Sequence, residues 1–121
     1  MRETIFALSS GALPSGVAVV RLSGPGAADA LVSLAGERPH PRRATLKTLR
    51  DQDGVVLDKS LILFFPGPHS FTGEDCVELH LHGGRAVVRA VLETLSRRKN
   101  FRMADAGEFT RRAFLNGKFN L

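Results

Sequence analysis

The 121-residue chain is 43% hydrophobic with a net charge of +5 and a pI near 10.3, which suits a globular domain and argues against disorder. Its apolar runs fall short of the ~18–20 residues of a membrane span, and the stretch after Met1-Arg2-Glu3 is too short for a signal peptide. A single cysteine, Cys76, leaves no internal disulfide, so a cytoplasmic protein with one domain over residues 1–121 is expected.

Residues Thr4 to Leu8 read as a first strand, and the GALPSG stretch from Gly11 to Gly16 as a loop of turn residues. Gly16 to Leu22 (GVAVVRL) is a β-branched run, expected as a buried strand. Ser23-Gly24-Pro25 signals a helix start with Pro25 in the first turn, and Gly36 stops that helix after the stripe Ala27, Leu31, Leu34, Ala35. Pro39 to Arg43 is a basic loop and Thr45 to Arg50 a weak strand. Asp51 to Gly54 signals a hairpin turn, with Val55 to Leu57 pairing back and Leu61 to Phe65 a separate apolar strand. The long loop from Pro66 to Asp75 (PGPHSFTGED) has the length of a functional loop.

Cys76 to His82 alternates: Val77, Leu79 and Leu81 point one way, and Cys76, Glu78, His80 and His82 the other. After Gly83-Gly84 a helix is predicted from Arg85 to Arg98, with Val87, Val88, Val91, Leu92 and Leu95 inward and Arg97 to Lys99 complementing its dipole. Phe101 to Ala104 is a short strand. Asp105 and Glu108 have capping-box spacing before a last helix from Glu108 to Asn116, stopped by Gly117. This order implies an α+β fold, a mixed sheet with helices on one face.

Several residues could carry chemistry. Glu78, His80 and His82 share one strand face, where two imidazoles and a carboxylate could hold a metal ion or form a plain polar face. Glu78 could instead accept two parallel N–H bonds from an amino-pyrimidinone edge. His82-Gly83-Gly84 opening a helix could approach an anion or simply turn the chain. Nothing matches a Walker A loop, so no P-loop GTP site is encoded here. Arg21 interrupts an apolar strand, so it lies at a rim or is paired. Lys118 follows the last helix, and Arg111 and Arg112 read as surface charges. The basic clusters Arg38/Arg42/Arg43, Lys47/Arg50 and Arg97/Arg98/Lys99, with the high pI, support an alternative: a basic RNA-binding or assembly module with no small-molecule site, contacting phosphates. The chain lacks Trp and Tyr, which leaves base stacking of the RRM type unsupported.

The strings GVAVVRLSGP (16–25), FPGPHSFTGED (65–75), VELHLHGG (77–84) and GEFTRRAFLNGK (107–118) together resemble, in order and spacing, the N-terminal domain of the tRNA-modification GTPase family called MnmE or TrmE. The chain departs from the family's usual residues at Leu81, Ala106, Asn120 and the 11–16 loop. The resemblance implies a fold similar to the tetrahydrofolate-binding domains of one-carbon enzymes. It implies binding of a 5-formyl- or methylene-tetrahydrofolate, with the family's folate contacts falling on Arg21, Glu78 and Lys118. It also implies a homodimer through this domain, and no catalytic residue or metal within it. Full-length members add a helical domain, a GTPase domain that uses GTP, Mg and K, and a C-terminal cysteine motif. With the FAD protein MnmG (GidA) they modify C5 of the wobble uridine of tRNA. Residues 1–121 alone are expected to lack GTPase activity.

Overall fold

The computed structural model of the chain describes residues 2–9, 16–82 and 84–118. Among these residues the elements run β1 (Thr4–Leu8), β2 (Val17–Ser23), α1 (Ala27–Ala35), β3 (Thr45–Arg50), β4 (Val56–Phe65), β5 (Cys76–His82), α2 (Arg85–Ser96), β6 (Phe101–Met103) and α3 (Glu108–Leu115). The expected loop lies outside the described residues except for Gly16, and so does Gly83. The strands form one sheet in the order β3-β4-β5-β2-β1-β6. Every neighbouring pair is antiparallel except β1 with β6, so the sheet is mixed and the fold α+β.

Period-two patterning decides which side of this sheet is dry. Phe6, Val20, Leu22, Ile62, Phe64, Val77, Leu79 and Leu81 are buried in one cluster. Ala27, Ala28, Ala30, Leu31 and Leu34 of α1 and Val88, Val91 and Leu95 of α2 close it from above. Each large side chain removed from water there contributes about 1.5–3 kcal/mol. Among the described residues the opposite side is covered at one end, by the 66–75 loop and α3. Ile5, Ser23 and Cys76, neighbours across β1, β2 and β5, are buried there outside the main cluster. Farther along that side Val17, Leu46 and Leu61 are half exposed. The expectation of helices on one face holds for α1 and α2, while α3 docks on the other.

Three boundaries differ from the sequence expectation. Residues 55–57 and 61–65 do not form separate strands, because β4 is one ten-residue strand. Its polar middle stays in the ladder: Ser60, Lys59 and Asp58 pair with Lys47, Thr48 and Leu49. There Asp58 Oδ2 accepts from Ser60 Oγ at 2.6 Å and from the His82 N–H at 2.9 Å. Helix α1 starts after Pro25, with Gly26 at its N-cap and the Gly26 N–H donating to Thr4 Oγ1 at 2.7 Å. Helix α2 stops at Ser96, so Arg97 to Lys99 lie past its last turn, and Arg98 instead sits over the Phe101 ring at 5.1 Å.

The turn from β2 into α1 needs a glycine. Gly24 has φ of 142°, and a Cβ there would stand 2.6 Å from the Thr4 Cα, a position that L side chains cannot take without moving backbone.

The two-sided sheet makes a measurable distinction. Leu79→Ala, in the closed cluster, should lower unfolding free energy by about 2–5 kcal/mol. Val56→Ala, at a half-exposed position, should change it by less than about 0.5 kcal/mol. Equal losses in urea titrations would contradict this assignment of faces.

Candidate functional site

Arg21 and Glu78 are cross-strand partners on the open side of β2 and β5. Arg21 Nη2 donates to Glu78 Oε2 at 3.0 Å, and His80 Nε2 lies 3.0 Å from Glu78 Oε1. The charge that interrupts the apolar run of β2 is therefore paired. Both carboxylate oxygens are occupied, while the Glu78 side chain remains 21% exposed. Leu63 and Ala7 flank this pair in register, and Leu61 and Val19 flank His80. The polar group thus has apolar neighbours on either side of it.

His82 does not join this group. Its Nδ1 lies 3.0 Å from Asp58 Oδ1. Burial pushes the Asp58 carboxyl up, but hydrogen bonds from Ser60 and His82 outweigh it and leave the group below its ordinary value. The two histidines thus serve different carboxylates. Among the described residues no group of three or more His, Cys, Asp and Glu could hold a metal, so a shared ion on Glu78, His80 and His82 is not supported.

A second polar cluster lies next to the first, at the covered end of the sheet. Arg112 does not behave as a surface charge: its side chain is 6% exposed. Arg112 Nη1 donates to Glu74 Oε1 at 3.0 Å and to the Ser23 carbonyl at 3.4 Å, and Nη2 donates to Glu108 Oε2 at 3.3 Å. A buried guanidinium needs such partners, because desolvating a charge costs several kcal/mol. Glu74 also accepts from Ser23 Oγ at 2.7 Å and Arg2 Nη1 at 3.0 Å. Arg102 reaches both oxygens of Glu108, at 2.7 and 2.6 Å. The Asp105 N–H donates to Glu108 Oε1 at 2.9 Å, so the expected capping spacing supplies a side chain that turns back on the chain. The Arg102 bonds hold the Glu108 carboxyl down at about 2. For Glu74, burial acts upward, but bonds from Ser23, Arg112 and Arg2 leave the net shift downward.

Lys118 lies just beyond α3 and is exposed, with its N–H donating to the Ala113 carbonyl at 2.9 Å. Two residues earlier, Asn116 Nδ2 donates to the Thr72 carbonyl at 2.7 Å. Thr72 Oγ1 lies 2.7 Å from Ser23 Oγ and 3.2 Å from Cys76 Sγ. The Ser23–Cys76 row adjoins the Arg21–Glu78 row on the same side of the sheet, about 7 Å away. The structure thus brings Arg21 and Glu78 into contact and ties the end of α3, through Asn116 and Thr72, to the neighbouring Ser23–Cys76 row.

Hollows of about 450 and 350 Å³ lie on other parts of the surface, and one of about 340 Å³ lies on the open side beside the pair, where Val17, Leu46, Leu61, His80 and His82 line it; Arg21, Glu78 and Lys118 line none of the three. The residues of the basic clusters are largely engaged within the chain. Arg38 lies over Phe64 at 5.2 Å, Arg42 donates to the His69 carbonyl, Lys47 pairs with Glu37 and Arg50 donates to the Gly54 carbonyl.

Residues 4–118 match the family model described as the GTP-binding protein TrmE N-terminus. The chain belongs to the TrmE family. The tRNA modification GTPase MnmE of Rhizobium meliloti (strain 1021) is 60% identical over 119 residues, which cover 98% of this chain and 27% of that protein. The protein of the same name from Novosphingobium aromaticivorans is 61% identical over 122 residues, covering 100% of this chain and 28% of its own length. The chain thus spans just over a quarter of the length of these relatives and corresponds to their N-terminal part.

Of the strings that resemble the TrmE family, SFTGED contributes Thr72 and Glu74, and GEFTRRAFLNGK contributes Glu108, Arg112 and Asn116 to the second cluster. Sequence reasoning missed this cluster. The spacing of Glu108 and Arg112 is a legible helical pair, but no sequence signal links Glu74 to Arg112 across 38 positions.

Acid should loosen this end of the molecule. A carboxyl depressed in the folded state stabilises the fold fully above its unfolded pKa, near 4.5 for Glu74 and Glu108. That contribution fades as pH falls toward the folded value, about 2 for Glu108. Urea midpoints should therefore drop across that window, and Glu108→Gln should flatten the drop. A pH-independent midpoint there would contradict the ion-pair account.

Proposed function

We propose that this chain is the tetrahydrofolate-binding, dimer-forming N-terminal domain of an enzyme that hydrolyses GTP and modifies C5 of the wobble uridine of tRNA. The observation that supports the folate reading is the partly exposed Arg21–Glu78 pair on a partly apolar sheet face. A pterin fits such a surface: its flat ring lies on Leu61, Leu63 and Val19, and its amino-pyrimidinone edge donates two N–H bonds to Glu78. Arg21 keeps hold of Oε2, while His80 yields Oε1 to the ligand. Lys118 holds a folate oxygen from the border. The bound folate supplies a one-carbon unit. The chain's own residues bind and orient it, and GTP chemistry, with Mg and K, belongs to a GTPase domain outside this chain. The named relatives are tRNA modification GTPases. MnmG and tRNA are the proposed partners, and the cytoplasm the proposed location. The alternative of a basic RNA-binding module draws less support, since many of its cations are engaged internally.

Charge-assisted bonds of this kind are worth about 1.5–3 kcal/mol each. Glu78→Ala should therefore weaken 5-formyltetrahydrofolate binding by roughly ten- to a hundred-fold in calorimetry. Unchanged affinity would remove Glu78 from the site. Pairing of two copies is proposed on the same open side, where Val17, Leu46 and Leu61 are half exposed. Sedimentation should find a dimer that Leu46→Asp converts to a folded monomer. A wild-type monomer at micromolar concentration would overturn the pairing.

A further inference from the structure

We infer that Arg112 is a positioning residue for Lys118: its ion cluster with Glu74 and Glu108 clamps α3 to the sheet and so sets where the chain just beyond α3, with Lys118, is held. This rests on the folate reading of Lys118 given above.

Apart from Arg112, the described side chains that hold helix α3 include Glu108, which Arg102 of β6 meets at 2.7 and 2.6 Å, and the half-buried Phe109. An eight-residue helix is too short to persist alone in water. Its buried residues are Glu108, Arg112 and Ala113, while Phe114 and Leu115 are 45% and 65% exposed. Two of its three buried side chains are thus charged, and docking depends on where those charges are met. The Arg112 fork meets the end of β2 at Ser23, the 66–75 loop at Glu74 and its own helix at Glu108. A planar guanidinium can span three partners, whereas an ammonium acts as a point charge.

The chain downstream of the clamp has little freedom. The Asn116 N–H donates to the Arg112 carbonyl at 3.0 Å, and the Lys118 N–H donates to the Ala113 carbonyl at 2.9 Å. Asn116 is the second anchor, through Thr72. Gly73 makes room for it, since a Cβ at Gly73 would stand 2.9 Å from the Asn116 Cβ. The Lys118 backbone is therefore tied to α3, and α3 is tied to the loop that borders the Arg21–Glu78 row.

A double-mutant cycle on the 121-residue chain tests this, with 5-formyltetrahydrofolate as the titrant. Lys118→Ala should lose roughly ten-fold or more in affinity. Arg112→Lys, which keeps the charge and loses the fork, should also lose affinity, and the double variant should bind no worse than Lys118→Ala alone. Losses that multiply in the double variant would overturn the inference, as would Arg112→Lys binding like the wild type. Lys118→Ala at wild-type affinity would take Lys118 out of the site and overturn it as well.

Hydrogen exchange provides a readout that does not depend on folate. In Arg112→Lys the Asn116 and Lys118 amides should exchange faster while those of β5 keep their protection. Unchanged protection at Lys118 overturns the clamp whether or not folate binds. Absence of folate binding by the wild type overturns the ligand reading instead. If Arg112→Lys exchanges globally, Asn116→Ala, which strands no buried charge, takes its place in both experiments with the same expected and opposing results.

Discussion

A guanidinium shut away from water must have its N–H groups met by acceptors, and one end of this sheet is organised around that requirement. Arg112 is buried between Glu74 and Glu108, and those carboxylates gather Arg2, Ser23, Arg102 and the Asp105 N–H around them. The cluster ties together the first residues of the chain, the end of β2, the 66–75 loop and α3. Replacing a buried ion cluster wholesale with apolar side chains is often neutral, but removing one member strands a charge and costs about 3–5 kcal/mol. In the docked position of α3 each of these buried charges is answered.

The two sides of the sheet are built by different forces. On one side, apolar side chains from every second residue of β2, β4 and β5 meet α1 and α2 in an ordinary dry core. On the other, polar bonding covers one end, and among the described residues Val17, Leu46 and Leu61 farther along stay half exposed. That asymmetry leaves Arg21 and Glu78 partly exposed. A sheet covered by helices on both sides would have buried Glu78 and Arg21 against each other with no access. Here their pair stands at the border between the ion cluster and an apolar, solvent-facing surface, which suits a planar molecule with a polar edge.

Much of the fold was legible in the sequence. The alternation of residues 76–82 assigned Val77, Leu79 and Leu81 to the core and Glu78 and His80 to the other side, as found. Gly36 and Gly117 end their helices at positive φ. The reading failed where a tertiary contact overrode a local cue. Asp58-Lys59-Ser60 reads as a break between strands, yet Ser60 and His82 satisfy Asp58 and the strand runs on. Pro25 reads as helical, yet Thr4 receives the Gly26 N–H and sets the start beyond it. Arg112 reads as a surface charge because arginine in a short helix usually is one, and its two carboxylate partners come from separate parts of the chain.

By itself the sequence determined the element types, the inward face of the strands and, through its long specific strings, membership of the TrmE family. These follow from local periodicity and residue identity, which are properties of neighbouring positions. Only the tertiary structure decided that Arg21 and Glu78 are partners, that His80 and His82 serve different carboxylates, and that α3 crosses to the far side of the sheet. Strand order is set by which hydrophobic faces close on one another, and ion pairing by which charges that closure shuts away together. Neither is written in the spacing of any one segment.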